Sequence, residues 1–84
     1  MDYSIKWSPQ SSSFLDGLQK DIAKRILKKL DEVIENPFRY LNHYEVDEGY
    51  KLRIGNYRAI IDVDFQNKIL FIRILDKRGR IYKR

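Results

Sequence analysis

The feature that most limits what this chain can become is one apolar stripe that runs into a proline. Ile22, Ile26, Leu30 and Val33/Ile34 recur at helical spacing, while Lys24, Lys28, Lys29, Asp31, Glu32 and Glu35 fill the other side. The pattern predicts a helix that must bury one face. It stops at Asn36-Pro37, because the residue before a proline is disfavoured in the helical region. The sequence has 84 residues, enough for one core, so it reads as a single domain spanning 1–84. Whatever covers the stripe must come from the same short chain.

The remaining segments supply that cover. Tyr3, Ile5 and Trp7 alternate with polar residues and predict a short first strand. Ser8-Pro9 reads as an N-cap followed by a proline at the first helical position. A short helix through Phe14, Leu15 and Leu18 follows, weakened or ended by Gly17. Residues 37–49 keep no period and read as a loop that is functional or packs on itself. After Gly49 come three strands: Tyr50–Ile54, a Gly55-Asn56 hairpin turn, Tyr57–Asp64, a turn over Phe65–Lys68, and Ile69–Leu75. The last is nearly all apolar, as expected of a strand covered on both faces. The order β-α-α-β-β-β is α+β: an antiparallel sheet with the two N-terminal helices packed on one side, and with Trp7 and Tyr57 in the core.

Composition narrows the functions. The absence of Cys excludes disulfides and thiolate metal sites, and one His makes a zinc site unexpected; no metal and no cofactor are expected. The N-terminal segment lacks the apolar run of a signal peptide, and no stretch reaches the ~20 apolar residues of a spanning helix. A cytoplasmic location away from membranes is the expectation. The net charge of +5 is unevenly spread. Residues 1–48 hold seven Lys/Arg against nine Asp/Glu, and residues 49–84 hold ten against three. A one-sided basic field attracts polyanions and speeds encounter with them. Charge alone fits a merely soluble surface equally well.

Placement of the charge makes it informative. Metal-free RNA cleavage needs the 2′-OH to lose a proton, in-line attack on phosphorus, and protonation of the departing 5′-oxygen. Pre-placed cations, one proton acceptor and one donor suffice. A lysine crowded by other cations has a lowered pKa and can serve as base. Lys51 and Arg53 share a face of one strand, Arg58 lies beyond the turn on the next strand, and Arg78, Arg80 and Tyr82 follow the last strand. Each has a bland reading: a solvent-facing strand residue, or a terminal Tyr packed on the sheet. His43 reads as a loop residue without a partner, and Glu45, Asp47 and Glu48 as a solvated acidic run.

The segment YKLRIGNYRAIIDVD, followed by ILDKRGRIYKR, resembles the RelE branch of the RelE/ParE toxin superfamily. The shared pattern is a strand with alternating basic residues, a Gly-containing turn, Tyr-Arg opening the next strand, and a closing Lys-Arg…Tyr; the helix ending in ENP fits too. The resemblance covers the whole chain, most specifically its second half. It implies a RelE-like fold and a toxin of a type II toxin–antitoxin system. The toxin would be a metal-independent endoribonuclease that cleaves mRNA in the ribosomal A site, and so stops translation. It implies Lys51 as general base with Arg53 beside it, Arg58 stabilising the transition state, Arg78 as general acid or phosphate ligand, and Tyr82 orienting the substrate. Lys77, Arg80, Lys83 and Arg84 would bind RNA. The implied partners are a RelB-like antitoxin, the ribosome and mRNA. Two departures stand out: Arg53 occupies a position where lysine is frequent, and Arg80 competes with Arg78 for the tail-arginine role. Two other functions fit a small basic domain of this kind, a ParE-like gyrase poison and a basic nucleic-acid-binding module without chemistry.

Overall fold

The computed structural model describes residues 2–43 and 49–77, with the backbone alone at residue 43. In chain order the elements are β1 (Ser4–Trp7), α1 (Pro9–Asp16), α2 (Lys20–Glu35), α3 (Pro37–Tyr40), β2 (Asn42–His43), β3 (Tyr50–Ile54), β4 (Tyr57–Asp64) and β5 (Ile69–Lys77). The α+β order read from the sequence is present. The segment read as a loop contains a short helix and a two-residue strand before residues 44–48, which lie outside the described residues.

Local chemistry accounts for the boundaries. Ser8 caps α1 by accepting a hydrogen bond from the Ser11 N–H, and Pro9 fills a first-turn position where its missing N–H costs nothing. Gly17 closes the helix, so Leu18 falls beyond it. In α2, Ile26, Leu30 and Val33 are buried, and Ile22 and Ile34 pack at the margin of the core. At its end the Asn36 N–H still reaches the Val33 carbonyl before Pro37 breaks the ladder and opens α3. Gly55 takes φ +58, the left-handed conformation that a tight hairpin needs and that a Cβ penalises.

The sheet has five strands in the order β1-β5-β4-β3-β2. Three neighbouring pairs are antiparallel, but β1 runs parallel to β5, with Ile5 beside Leu70 and Trp7 beside Ile72. The sheet is therefore mixed, where an antiparallel one was expected. Four alternating residues state that a strand exists; they do not state the direction of its neighbour, and parallel pairing becomes possible because helices carry the chain across the sheet. The strong apolarity of β5 has a different cause from the one expected. It has strands on both edges, while the helices cover one face only, and Phe71 stays 36% exposed.

A β-bulge organises the packing of β5. Ile60 pairs with Ile74 and Ile61 with Ile72, which leaves Arg73 as an extra residue. The added residue shifts the alternation, so Leu70, Ile72 and Leu75 all reach one core with Ile26, Leu30, Val33, Leu52, Ile54, Ala59 and Ile61. Beyond Ile72 the β1 ladder ends, and α1 takes over its hydrogen bonds. Ser11 Oγ donates to the Ile72 carbonyl at 3.0 Å and Ser8 Oγ to the Arg73 carbonyl at 2.6 Å. Gln10 completes the seam, donating to the Leu75 carbonyl at 2.9 Å and accepting from its N–H at 3.0 Å. Polar side chains thereby replace a missing strand. Arg73 itself pairs with Asp62 at 3.0 Å and lies over Gly49, where a Cβ would stand 2.6 Å from its Nη2.

Candidate functional site

Alternation along β3 and β4 sends Leu52, Ile54, Ala59 and Ile61 into the helix-covered core, so Lys51, Arg53, Arg58 and Ile60 belong to the other face. The register sharpens this grouping. Arg53 lies directly opposite Arg58, and Lys51 opposite Ile60, one pair further along the same face. Opposed residues in an antiparallel pair have Cβ atoms about 4.5–5.5 Å apart, within reach of one phosphate for two guanidinium groups. On the far side of Arg58, β5 places Asp76 in the same row. The row across the sheet thus runs Arg53, Arg58, Asp76, beside the row Lys51, Ile60, Ile74.

The three cations differ in setting. Arg53 is exposed and Lys51 half-buried, whereas Arg58 is only 7% exposed. Burial in a medium of low dielectric strengthens the field that the Arg58 guanidinium exerts on a nearby anion. Like charges set directly across a ladder cost stability. The Arg53–Arg58 pair is therefore an arrangement that an anion, or a neighbouring carboxylate such as Asp76, offsets. A phosphate between them would meet fixed positive charge, with the Lys51 amine on the same face.

The structure brings Lys51, Arg53 and Arg58, which the sequence reading grouped, to one face, and sets Arg58 directly opposite Arg53. Lys77 does not join them. It pairs with Tyr57, whose ring meets Phe14 at 6.0 Å on the helix side, and so its position belongs to the opposite face. Arg78, Arg80, Tyr82, Lys83 and Arg84, together with Glu45, Asp47 and Glu48, lie outside the described residues. Asp76 was missed because the expected strand stopped at Leu75; a longer final strand in the sequence reading would have put it opposite Arg58. The sequence reading also passed over Arg25 and Lys28, wet-side residues of α2 that line a hollow shared with Arg53.

Comparison with known proteins places this architecture. The profile of the family described as ParE toxin of type II toxin-antitoxin system, parDE, matches residues 5–81. The chain belongs to this family. Within the wider RelE/ParE superfamily it is RelE-like. The protein named RelE4 of Methanocaldococcus jannaschii is 29% identical over 87 residues, covering 98% of this chain and 93% of that protein. The archaeal RelE–RelB complex of Pyrococcus horikoshii contains a chain 29% identical, with a TM-score of 0.76 over 95% of this chain and 99% of that one. The RelBE2 toxin–antitoxin complex of Mycobacterium tuberculosis superposes with a TM-score of 0.81 at 18% identity, over 93% of this chain and 100% of that one, a likeness of fold.

Proposed function

We propose that this toxin is an endoribonuclease that cuts mRNA in the ribosomal A site, carried out by the cationic face of β3 and β4. The observation that carries the reading is the direct opposition of Arg53 and Arg58 with Lys51 on the same face. A poison that works by occupying a protein surface gains nothing from two cations set opposite each other, whereas cations placed to meet one phosphate stabilise the charge that gathers during phosphoryl transfer. Lys51 accepts the 2′-OH proton, Arg58 holds the phosphorane charge from its shielded position, and Arg53 grips the same or the next phosphate. Arg78 and Tyr82 keep the roles that the family resemblance gives them: general acid or phosphate ligand for Arg78, and substrate orientation for Tyr82.

Three cationic side chains supply limited acid–base power, so the ribosome contributes the geometry of the message. Dependence on the ribosome implies a cytoplasmic site of action. The partner that silences it is a RelB-like antitoxin, supported by the Pyrococcus horikoshii relative, which was solved as a RelE–RelB complex. A second reading, gyrase poisoning, draws on the description of the matching family, which names ParE.

Toeprinting on stalled ribosomes separates the two. Wild-type protein should cut a defined message at A-site codons, and Arg58→Ala and Lys51→Ala should each abolish the cuts. A folded wild-type protein that leaves the message whole, yet blocks DNA supercoiling by gyrase, would replace the first reading with the second.

A further inference from the structure

Around the edge of β3 from the cationic face lies a second basic feature. Arg25, Lys28 and Lys29 of α2 and Arg53 of β3 line a hollow of about 280 Å³, with Glu32 as the one acidic lining residue. The three helix cations follow at i, i+3 and i+4, so they stand on one strip of α2. β2 pairs with β3 only at Tyr50 and Lys51, so among the described residues no strand covers the edge at Leu52–Ile54, and the hollow opens beside it. Lys29 is already engaged, 3.6 Å from Glu32 and 4.5 Å from the centre of the Tyr40 ring. Arg25, Lys28 and Arg53 are exposed, with no ion pair among the described residues.

Arg53 is the link. It lies opposite Arg58 in the candidate site and also lines this hollow. We propose that the α2–β3 hollow is a phosphate-binding subsite that holds the backbone of a single RNA strand adjoining the one gripped by Arg53 and Arg58. The proposal rests on the RNA-cutting reading of the sheet face. A strand seated there has its neighbouring phosphates one side chain away from Arg25 and Lys28, and each contact releases condensed counterions. The alternative occupant, an acidic protein segment, fits less well. The hollow's apolar member, Ile54, is 5% exposed and offers no anchoring pocket of the kind protein interfaces use.

The test measures binding apart from cleavage. A short fluorescent RNA with every ribose 2′-O-methylated cannot be cut, and its affinity for the full chain is followed across a salt series. For single strands each phosphate contact contributes about 0.7 to the slope of log affinity against log salt. Arg25→Gln/Lys28→Gln should therefore lower the slope by about 1.4, while Lys6→Gln/Lys68→Gln, at the β1–β5 edge far from the hollow, should leave it nearly unchanged. The charge-keeping pair Arg25→Lys/Lys28→Arg should retain the wild-type slope.

Equal slopes for wild type and the Arg25/Lys28 glutamine variant overturn the proposal. So does an equal loss in the charge-keeping pair, or a variant that weakens capture of an oligo-glutamate peptide while leaving the RNA slope intact. Toeprinting read alongside keeps the two ideas apart. A normal slope change without A-site cutting removes the nuclease reading and leaves the subsite; cutting without a slope change removes the subsite alone.

Discussion

The two faces of this sheet are built on opposite rules. The helix-covered face is apolar and closed: Leu52, Ala59, Ile61, Leu70, Ile72 and Leu75 meet Ile26, Leu30 and Val33, all at or below 2% exposure. Where the strand ladder runs out, Ser8, Gln10 and Ser11 supply its missing hydrogen bonds. The face turned away from the helices instead sets Arg53 against Arg58, with Lys51 beside them. One face buries apolar side chains against the helices, and the other gathers cations around a buried guanidinium. The difference teaches where to look for function: two arginines set opposite each other, one of them buried, are not called for by apolar packing and suit an anionic ligand.

Substitutions on each face should therefore separate stability from activity. The largest effect is expected at Leu30→Ala, which opens a cavity in the closed face and should cost about 2–5 kcal/mol by chemical denaturation. Below its lowered melting temperature the variant should still cut at a near-normal rate per folded molecule. A loss of cutting in protein that is still folded would show that the faces are not separable. On the other face, Arg58→Ala should slow A-site cutting by about 10²–10³-fold while the melting temperature moves little. Unfolding instead of inactivity would make Arg58 a structural residue.

Smaller effects sharpen the same contrast. Ser11→Ala removes one of two donors to the Ile72 carbonyl, which keeps the Ser8 N–H, and should cost about 0.5–1.5 kcal/mol. Arg53→Ala removes one of two opposed like charges and should gain about 0.2–1 kcal/mol in stability, with weaker RNA binding. A destabilised Arg53→Ala would mean that the pair is not repulsive in the folded protein. The smallest change concerns the β4–β5 turn. The Asn67 side chain and N–H donate to Asp64 at 2.9 and 3.0 Å, and these bonds hold its carboxyl below the usual carboxylate range. A depressed folded pKa gives stability that is present above the unfolded value, about 3.9, and fades as pH falls through the folded one. The melting-temperature gap between wild type and Asp64→Asn should thus exist at neutral pH and close in acid; a gap that widens in acid would refute the sign.

Much of the site was legible because it depends on short-range alternation. Lys51 and Arg53 share a face by period two, and the Gly55-Asn56 turn fixes the hairpin register that brings Arg58 back beside them. Asp76 and the hollow beside Arg25 and Lys28 were not legible. The first depends on how far β5 extends, and the second on which side of α2 meets the edge of β3, a matter of packing between elements far apart in the chain.

By itself, then, the sequence determined the elements and their local faces: the capped α1, the α2 stripe closed by Pro37, the hairpin turn, and the α+β class. Each follows from interactions within a few residues, where propensity and periodicity act. Tertiary structure decided the rest. The parallel seat of β1 beside β5, the bulge at Arg73, the burial of Arg58 and the sharing of Arg53 between two basic features all depend on contacts across tens of residues. Such contacts are chosen by the packing of whole faces, and a local pattern carries no record of which partner its outward side will meet.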